Sequence, residues 1–130
     1  MTKTTKPGDA VKHGNDDSEE AIRDFKNVVN MSPGELGKWL ETKESREVGF
    51  KGAAGGESVG HRSGRRIVRL LGKADDTLTA GDIAHMRKVV GYVRRHSAQR
   101  PGGDITETPW RRSPMNWGHD PKKPGAKTAA

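Results

Sequence analysis

The sequence contains no cysteine. That absence excludes a disulfide framework, a thiolate metal site and a cysteine nucleophile, and it is compatible with a reducing compartment. Aromatic residues make up only 5% of the chain, too few for a large apolar core. Leu, Ile, Val and Phe together number 20 of 130, about 15%, a level at which a highly charged chain is usually disordered. No apolar run approaches the roughly 20 residues of a membrane span, and residues 1–15 lack the apolar stretch of a signal peptide. The expectation is a protein without a membrane anchor, cytoplasmic or associated with the nucleoid or nucleus.

What is present is concentrated. Of those 20 apolar residues, 18 fall between Ser18 and Ala98, so the low average reflects polar ends diluting a lean helical centre. The chain divides into a disordered tail over 1–17, a helical domain over 18–121 and a disordered tail over 122–130. No repeat is visible at periods of about 20 to 50 residues. The predicted fold is all-α, a small bundle of about four helices.

Periodicity places the first helix at Ser18 to Asn30, with Ala21, Ile22, Phe25, Val28 and Val29 on one face. Acidic residues in its opening turn suit the positive end of the helix dipole. The second helix has the clearest start: Ser32 as N-cap, Pro33 at the first helical position and Glu35 completing a capping box. It is expected to bury Leu36, Trp39 and Leu40 and to end near Glu44 or Arg46. A Gly-rich stretch over 49–56 reads as a loop between two helix pairs. The third helix begins between Glu57 and Arg62 and stops at Gly72. Its small residues Gly60, Ser63 and Gly64 invite a close neighbour. The fourth starts at the Thr79 cap, runs to about Ala98 and buries Ile83, Met86, Val90 and Val93.

Charge is as uneven as hydrophobicity. The chain carries a net +7, and residues 60–100, with ten basic and three acidic side chains, hold the same excess by themselves. On the third helix Arg62, Arg65, Arg66, Arg69 and Lys73 lie within an arc of about 100°. Like charges at these spacings cost a lone helix about 0.2–0.5 kcal/mol per pair, so an anion is expected against them. The fourth helix adds Arg87, Lys88, Arg94 and Arg95, extended by Arg100. Arginine predominates, and its planar fork suits bidentate phosphate contact. If the apolar stripes of the two helices pack together, the arcs merge into a surface for a polyanion, with nucleic acid the commonest such partner. Internal pairing is the competing reading, in which the acidic first helix and Glu41, Glu44 and Glu47 neutralise the stripe. A merely solvated basic face is the third.

Other constellations carry less. His85, Tyr92 and His96 share a strip of the fourth helix, but the eleven-residue spacing of the histidines matches no metal motif. The strip reads as a polar margin making local hydrogen bonds. No nucleophile with a base, carboxylate pair or phosphate-loop motif is found, so no enzyme activity and no cofactor are expected. The Gly-rich run before the third helix could hold a small anion on backbone amides. Trp110, Met115 and Trp117 near the C-terminus are too apolar to stay dissolved and are expected to fold back onto the core.

The strings MSPGELGKWLETKESREVG, GESVGHRSGRRIVRLL, HMRKVVGYVRRHSAQRP and MNWGHDP together resemble a small family of uncharacterised microbial proteins, a domain of unknown function in which some members are labelled DNA-binding. The resemblance covers roughly Ser18 to Pro121. It implies that Gly60 to Val68 and Met86 to His96 are signature regions, the same two basic helices. It brings no catalytic residue, cofactor or substrate. The sequence departs from the family pattern at Ser97 and at Pro114, where a proline speaks against a helical turn. The functional expectation is non-enzymatic nucleic-acid binding, to duplex DNA ahead of RNA, through phosphate contacts from the third and fourth helices. The alternative is an interaction module whose basic face meets an acidic protein partner.

Overall fold

The computed structural model describes residues 16–51 and 56–123. Among the described residues the regular structure is helical, with no strand: α1 (Asp16–Val28), α2 (Pro33–Leu40), α3 (Lys43–Glu47), α4 (Val59–Leu71), α5 (Ala80–Ser97) and α6 (Pro109–Asn116), with a 3-10 turn over Asp75–Thr77. The all-α bundle expected from the sequence is the fold.

The expected third and fourth helices are α4 and α5, and local capping accounts for their limits. Ser58 caps α4 by accepting from His61 N–H. Thr79 and Asp82 form a reciprocal capping box on α5, as Ser32 and Glu35 do on α2. The second helix is shorter than its periodicity suggests. It stops at Leu40, and Thr42 then accepts from Ser45 N–H to start α3 as a separate turn. Gly72 ends α4 at φ −92°, a conformation open to any residue, so its glycine is not needed for a left-handed cap. Residues 1–15 and 124–130, expected to be tails, and 52–55 of the Gly-rich run lie outside the described residues. At the margins of those tails Asp16 opens α1 and Lys123 bonds Glu35.

A sixth helix spans Pro109–Asn116 and contains Pro114, although this proline spoke against a helical turn there. Thr108 caps it and Pro109 occupies its first turn, where a missing N–H costs nothing. Pro114 lies near the other end. Its missing N–H leaves the Trp110 carbonyl without an i+4 donor, and His96 Nε2 donates to that carbonyl at 2.7 Å.

Helices pair across the sequence rather than with their neighbours. The main partner of α5 is α1, and that of α4 is α2, while α6 packs against α4, α2 and α3. Phe25, Val28, Leu36, Ile67, Ile83, Met86, Val89 and Val93 make one continuous core. The close neighbour invited by Gly60 and Gly64 is the end of α6. A Cβ at Gly64 would sit 2.4 Å from the Asn116 carbonyl oxygen and 2.7 Å from Leu40. Trp117 joins the core at 7% exposure, so the C-terminal segment is part of the domain.

Polar side chains fasten that segment. Asn116 accepts from Trp39 Nε1 at 2.7 Å and from the Ser45 hydroxyl, and donates to the Ser45 carbonyl at 3.0 Å. His119 Nδ1 donates to the Val28 carbonyl at 2.7 Å. Asn30 and Asp120 exchange two bonds, and Arg111 clasps the Asp120 carboxylate through two nitrogens. Asn116, His119 and Asn30 thus tie the segment to residues distant in sequence, while Trp110 Nε1 is buried without a hydrogen-bond partner among the described residues.

Candidate nucleic-acid interface

Because α4 packs on α2 and α6 through its small and apolar side, its arginines are turned towards the space beside α5. Arg62, Arg65, Arg66 and Arg69 line one cleft of about 300 Å³, and Lys88 of α5 lines it from the other wall. Ser63, His85 and Trp117 contribute to the same cleft, with Val59 beside them. The two basic arcs therefore meet, but through Lys88 alone.

The other cations of α5 point elsewhere. Arg87 and Arg94 line a separate hollow of about 370 Å³ against α1, with Asp17, Glu20 and Asp24. There Arg94 approaches Asp24 at 3.5 Å. Arg95 is exposed, with its guanidinium near Gly91 on its own helix. Arg100 reaches the Pro121 carbonyl at 3.3 Å and lies over the Trp110 ring. Lys73 stands at the far end of the α4 stripe, bonded to Asp82 at 2.6 Å.

Carboxylates meet part of the stripe, though not those expected from α1 or from Glu41, Glu44 and Glu47. Glu57, just before α4, takes a bidentate grip from Arg65 at 2.7 and 2.8 Å and also faces His61 Nδ1. The Arg65 bond, with His61 assisting, outweighs desolvation and holds its carboxyl at about 2. Asp82, at the start of α5, meets Lys73 and Arg66. Burial works against its ionisation, but bonds from Lys73, the Thr79 backbone and Arg66 prevail and keep it well below the carboxylate range. Arg62 is 67% exposed and no closer than 3.8 Å to Glu57. Arg69 and Lys88 are exposed and have no carboxylate partner among the described residues. The cleft therefore has three cations whose charge is largely uncompensated.

Its floor is polar and was not singled out by charge patterning. The Ser63 hydroxyl, on a residue only 4% exposed, is hydrogen-bonded to His85 Nε2 at 2.8 Å. Burial, reinforced by the charges of Arg66 and Lys88, pushes the His85 imidazole down to about 4. It is neutral at physiological pH while standing in a positive field. The available sequence signal was the alignment of Ser63 with Gly60 and Gly64, which marks a side of α4 facing another element.

The remaining members of the aromatic strip have structural partners. Rings stack in order from His85 to Trp117, Tyr92, His96 and Trp110, with centroids 4.5 to 6.3 Å apart. The Tyr92 hydroxyl bonds Ser113 Oγ at 2.6 Å. Among the described residues no group of acidic and histidine side chains could hold a metal ion, and no helix is long and apolar enough to cross a membrane.

The model of a family described as "Protein of unknown function (DUF3140)" matches residues 24–115, which takes in both basic helices and most of α6. No curated protein and no solved structure matches the chain.

Proposed function

We propose that this protein, which belongs to the DUF3140 family, binds nucleic acid without catalysis, duplex DNA ahead of RNA, through phosphate contacts from α4 and the adjoining edge of α5. One observation carries the reading: Arg62, Arg69 and Lys88 converge on one cleft with little compensating carboxylate, beside Arg65 and Arg66. Such a concentration of like charge is relieved by a polyanion. Contacts of this kind position a duplex without reading its bases. Trp117 in the cleft lining is only 7% exposed and offers little surface for stacking bases, which favours duplex over single strands.

The test is anisotropy of a labelled duplex titrated with the full chain at several salt concentrations, beside Arg62→Ala, Arg69→Ala and Lys88→Ala. Removing one phosphate-neutralising side chain should reduce the logarithmic salt slope by about 0.9. Failure of the wild type to bind at low salt overturns the reading. Recovery instead of a defined acidic protein after nuclease treatment would assign the face to a protein partner, for which the carboxylates already held by Arg65 and Arg66 are a precedent.

A further inference from the structure

We propose that the cleft floored by Ser63, His85 and Trp117 is a pocket for one terminal phosphomonoester, borne either by the end of a nucleic-acid strand or by a free mononucleotide. This deepens the polyanion reading, and rests on it only where the phosphate ends a strand.

Three properties separate a pocket from a phosphate track. The first is shape. A recess of about 300 Å³ lies at the small end of ligand-site volumes and suits a phosphate with a short organic stem, whereas a duplex backbone runs across a surface. The second is charge. A phosphodiester carries one negative charge, while a monoester carries about −1.5 to −2 at neutral pH. Arg62, Arg69 and Lys88 supply the matching excess from both walls. Glu57 offsets only part of it: its oxygens bond Arg65 and His61, Arg62 stays 3.8 Å away, and Arg69 and Lys88 have no carboxylate ion pair among the described residues.

The third property is the floor. A buried serine hydroxyl and a neutral imidazole form a polar base under a ring of cations, an arrangement that a surface track does not require. Trp117 and the 40% exposed Val59 add an apolar wall for the organic part of the ligand. A dianion lodged above His85 would offset the nearby Arg66 and Lys88 charges that disfavour its protonation. The imidazole would then gain proton affinity and could become another donor to the ligand. Among the described residues no carboxylate is hydrogen-bonded to His85, whose ring bonds Ser63 and feels Asp82 only through space, opposing Arg66 and Lys88, so Ser63 and His85 are assigned to binding and not to nucleophilic chemistry.

The experiment follows the His85 ring resonances of the full chain by NMR through a pH titration, with and without inorganic phosphate or a nucleoside 5′-monophosphate. In parallel, affinities are measured for short duplexes of one sequence bearing 5′-phosphate or 5′-hydroxyl ends. The expected results are an upward move of the His85 titration midpoint on adding the monophosphate and a preference of about tenfold for the phosphorylated ends. Both should disappear in Arg69→Ala and Lys88→Ala, exposed positions whose side chains make no hydrogen bond or ion pair among the described residues, with circular dichroism checking that each variant is folded. A moved midpoint without an end preference identifies the free mononucleotide as the source.

An unmoved midpoint with equal affinity for both ends overturns the pocket, even if long duplexes bind. An effect that survives both substitutions places the phosphate elsewhere and overturns it too. Conversely, a moved midpoint in a protein that binds no long duplex at low salt retains the pocket and removes the polyanion reading.

Discussion

His96 Nε2 donates to the carbonyl of Trp110 at 2.7 Å, the carbonyl that Pro114 leaves without a donor inside α6. The same two rings stack with centroids 4.7 Å apart. One imidazole thus repairs the defect that a proline introduces into a neighbouring helix. His96→Ala should cost about 1–3 kcal/mol, because it strands a carbonyl and removes the stack. Pro114→Ala restores a backbone N–H at the position that would serve Trp110. The double variant should therefore be less destabilised than the sum of the singles, by at least about 0.5 kcal/mol. Urea denaturation of the four proteins measures this, and strict additivity would refute the repair.

On the proposed nucleic-acid reading, Asp82 is expected to couple stability to binding in opposite directions. Its carboxylate meets Lys73, Arg66 and the Thr79 N–H, so Asp82→Asn should lower stability by about 1–3 kcal/mol. The amide can still accept from Thr79 N–H, which preserves the cap. Arg66 and Lys73 are meanwhile released from their counter-ion. Duplex affinity and salt slope should rise in the less stable protein, as read by denaturation and anisotropy on the same preparation.

Acid weakens the fold in two stages. His85 and His119 are both held below the ordinary histidine value, chiefly by burial. The unfolded chain therefore takes up protons before the folded one does. Their contribution is complete above pH 6.5 and is lost as pH falls below that value, for His85 as pH approaches about 4 and by roughly 1–3 kcal/mol. Glu57, held at about 2, and Asp82 ionise more readily in the folded state. Their contribution is present above the ordinary carboxylate range and is lost as pH falls further. Denaturation midpoints should decline across both ranges, and His85→Gln should flatten the upper one.

Two glycines should respond oppositely to alanine. At Gly64 a methyl group would run into the Asn116 carbonyl oxygen and Leu40, and backbone cannot step aside as a flexible side chain can. Gly64→Ala should destabilise by about 1–3 kcal/mol. Gly37, inside α2, has nothing within 4 Å of the added carbon, so Gly37→Ala should stabilise by about 0.5–1 kcal/mol through helix propensity. Thermal unfolding of the pair checks both signs.

Features encoded over a few residues were readable from the chain. The Ser32 and Thr79 caps, the core faces of α1 and α5 and the α4 arginine arc all follow from local spacing. The start of α6 was equally readable, since Thr108 before Pro109 repeats the logic of Ser32 before Pro33, but Pro114 argued against it. Its acceptability depends on His96, fourteen residues earlier, which no helical period reveals. The candidate site divides in the same way. Its cations were visible as a stripe, whereas the meeting of Ser63 with His85, the diversion of Arg87 and Arg94 towards α1, and the roles of Glu57 and Asp82 depend on which helices pair. Pairing of α1 with α5 and of α2 with α4 is set by the whole core, and sequence adjacency pointed to different pairs.

The bond from His119 to the Val28 carbonyl spans 91 positions of the chain, and Asn30 and Asp120 close almost the same circuit. During synthesis the first helix emerges long before the residues that complete its end. A nascent chain must therefore hold α1 unclasped until residues 119 and 120 have been made. Closure of that clasp should be a late event that follows emergence of the 119–120 segment from the ribosome, and clipping within that segment should loosen the C-terminal end of the first helix while its packing on α5 persists.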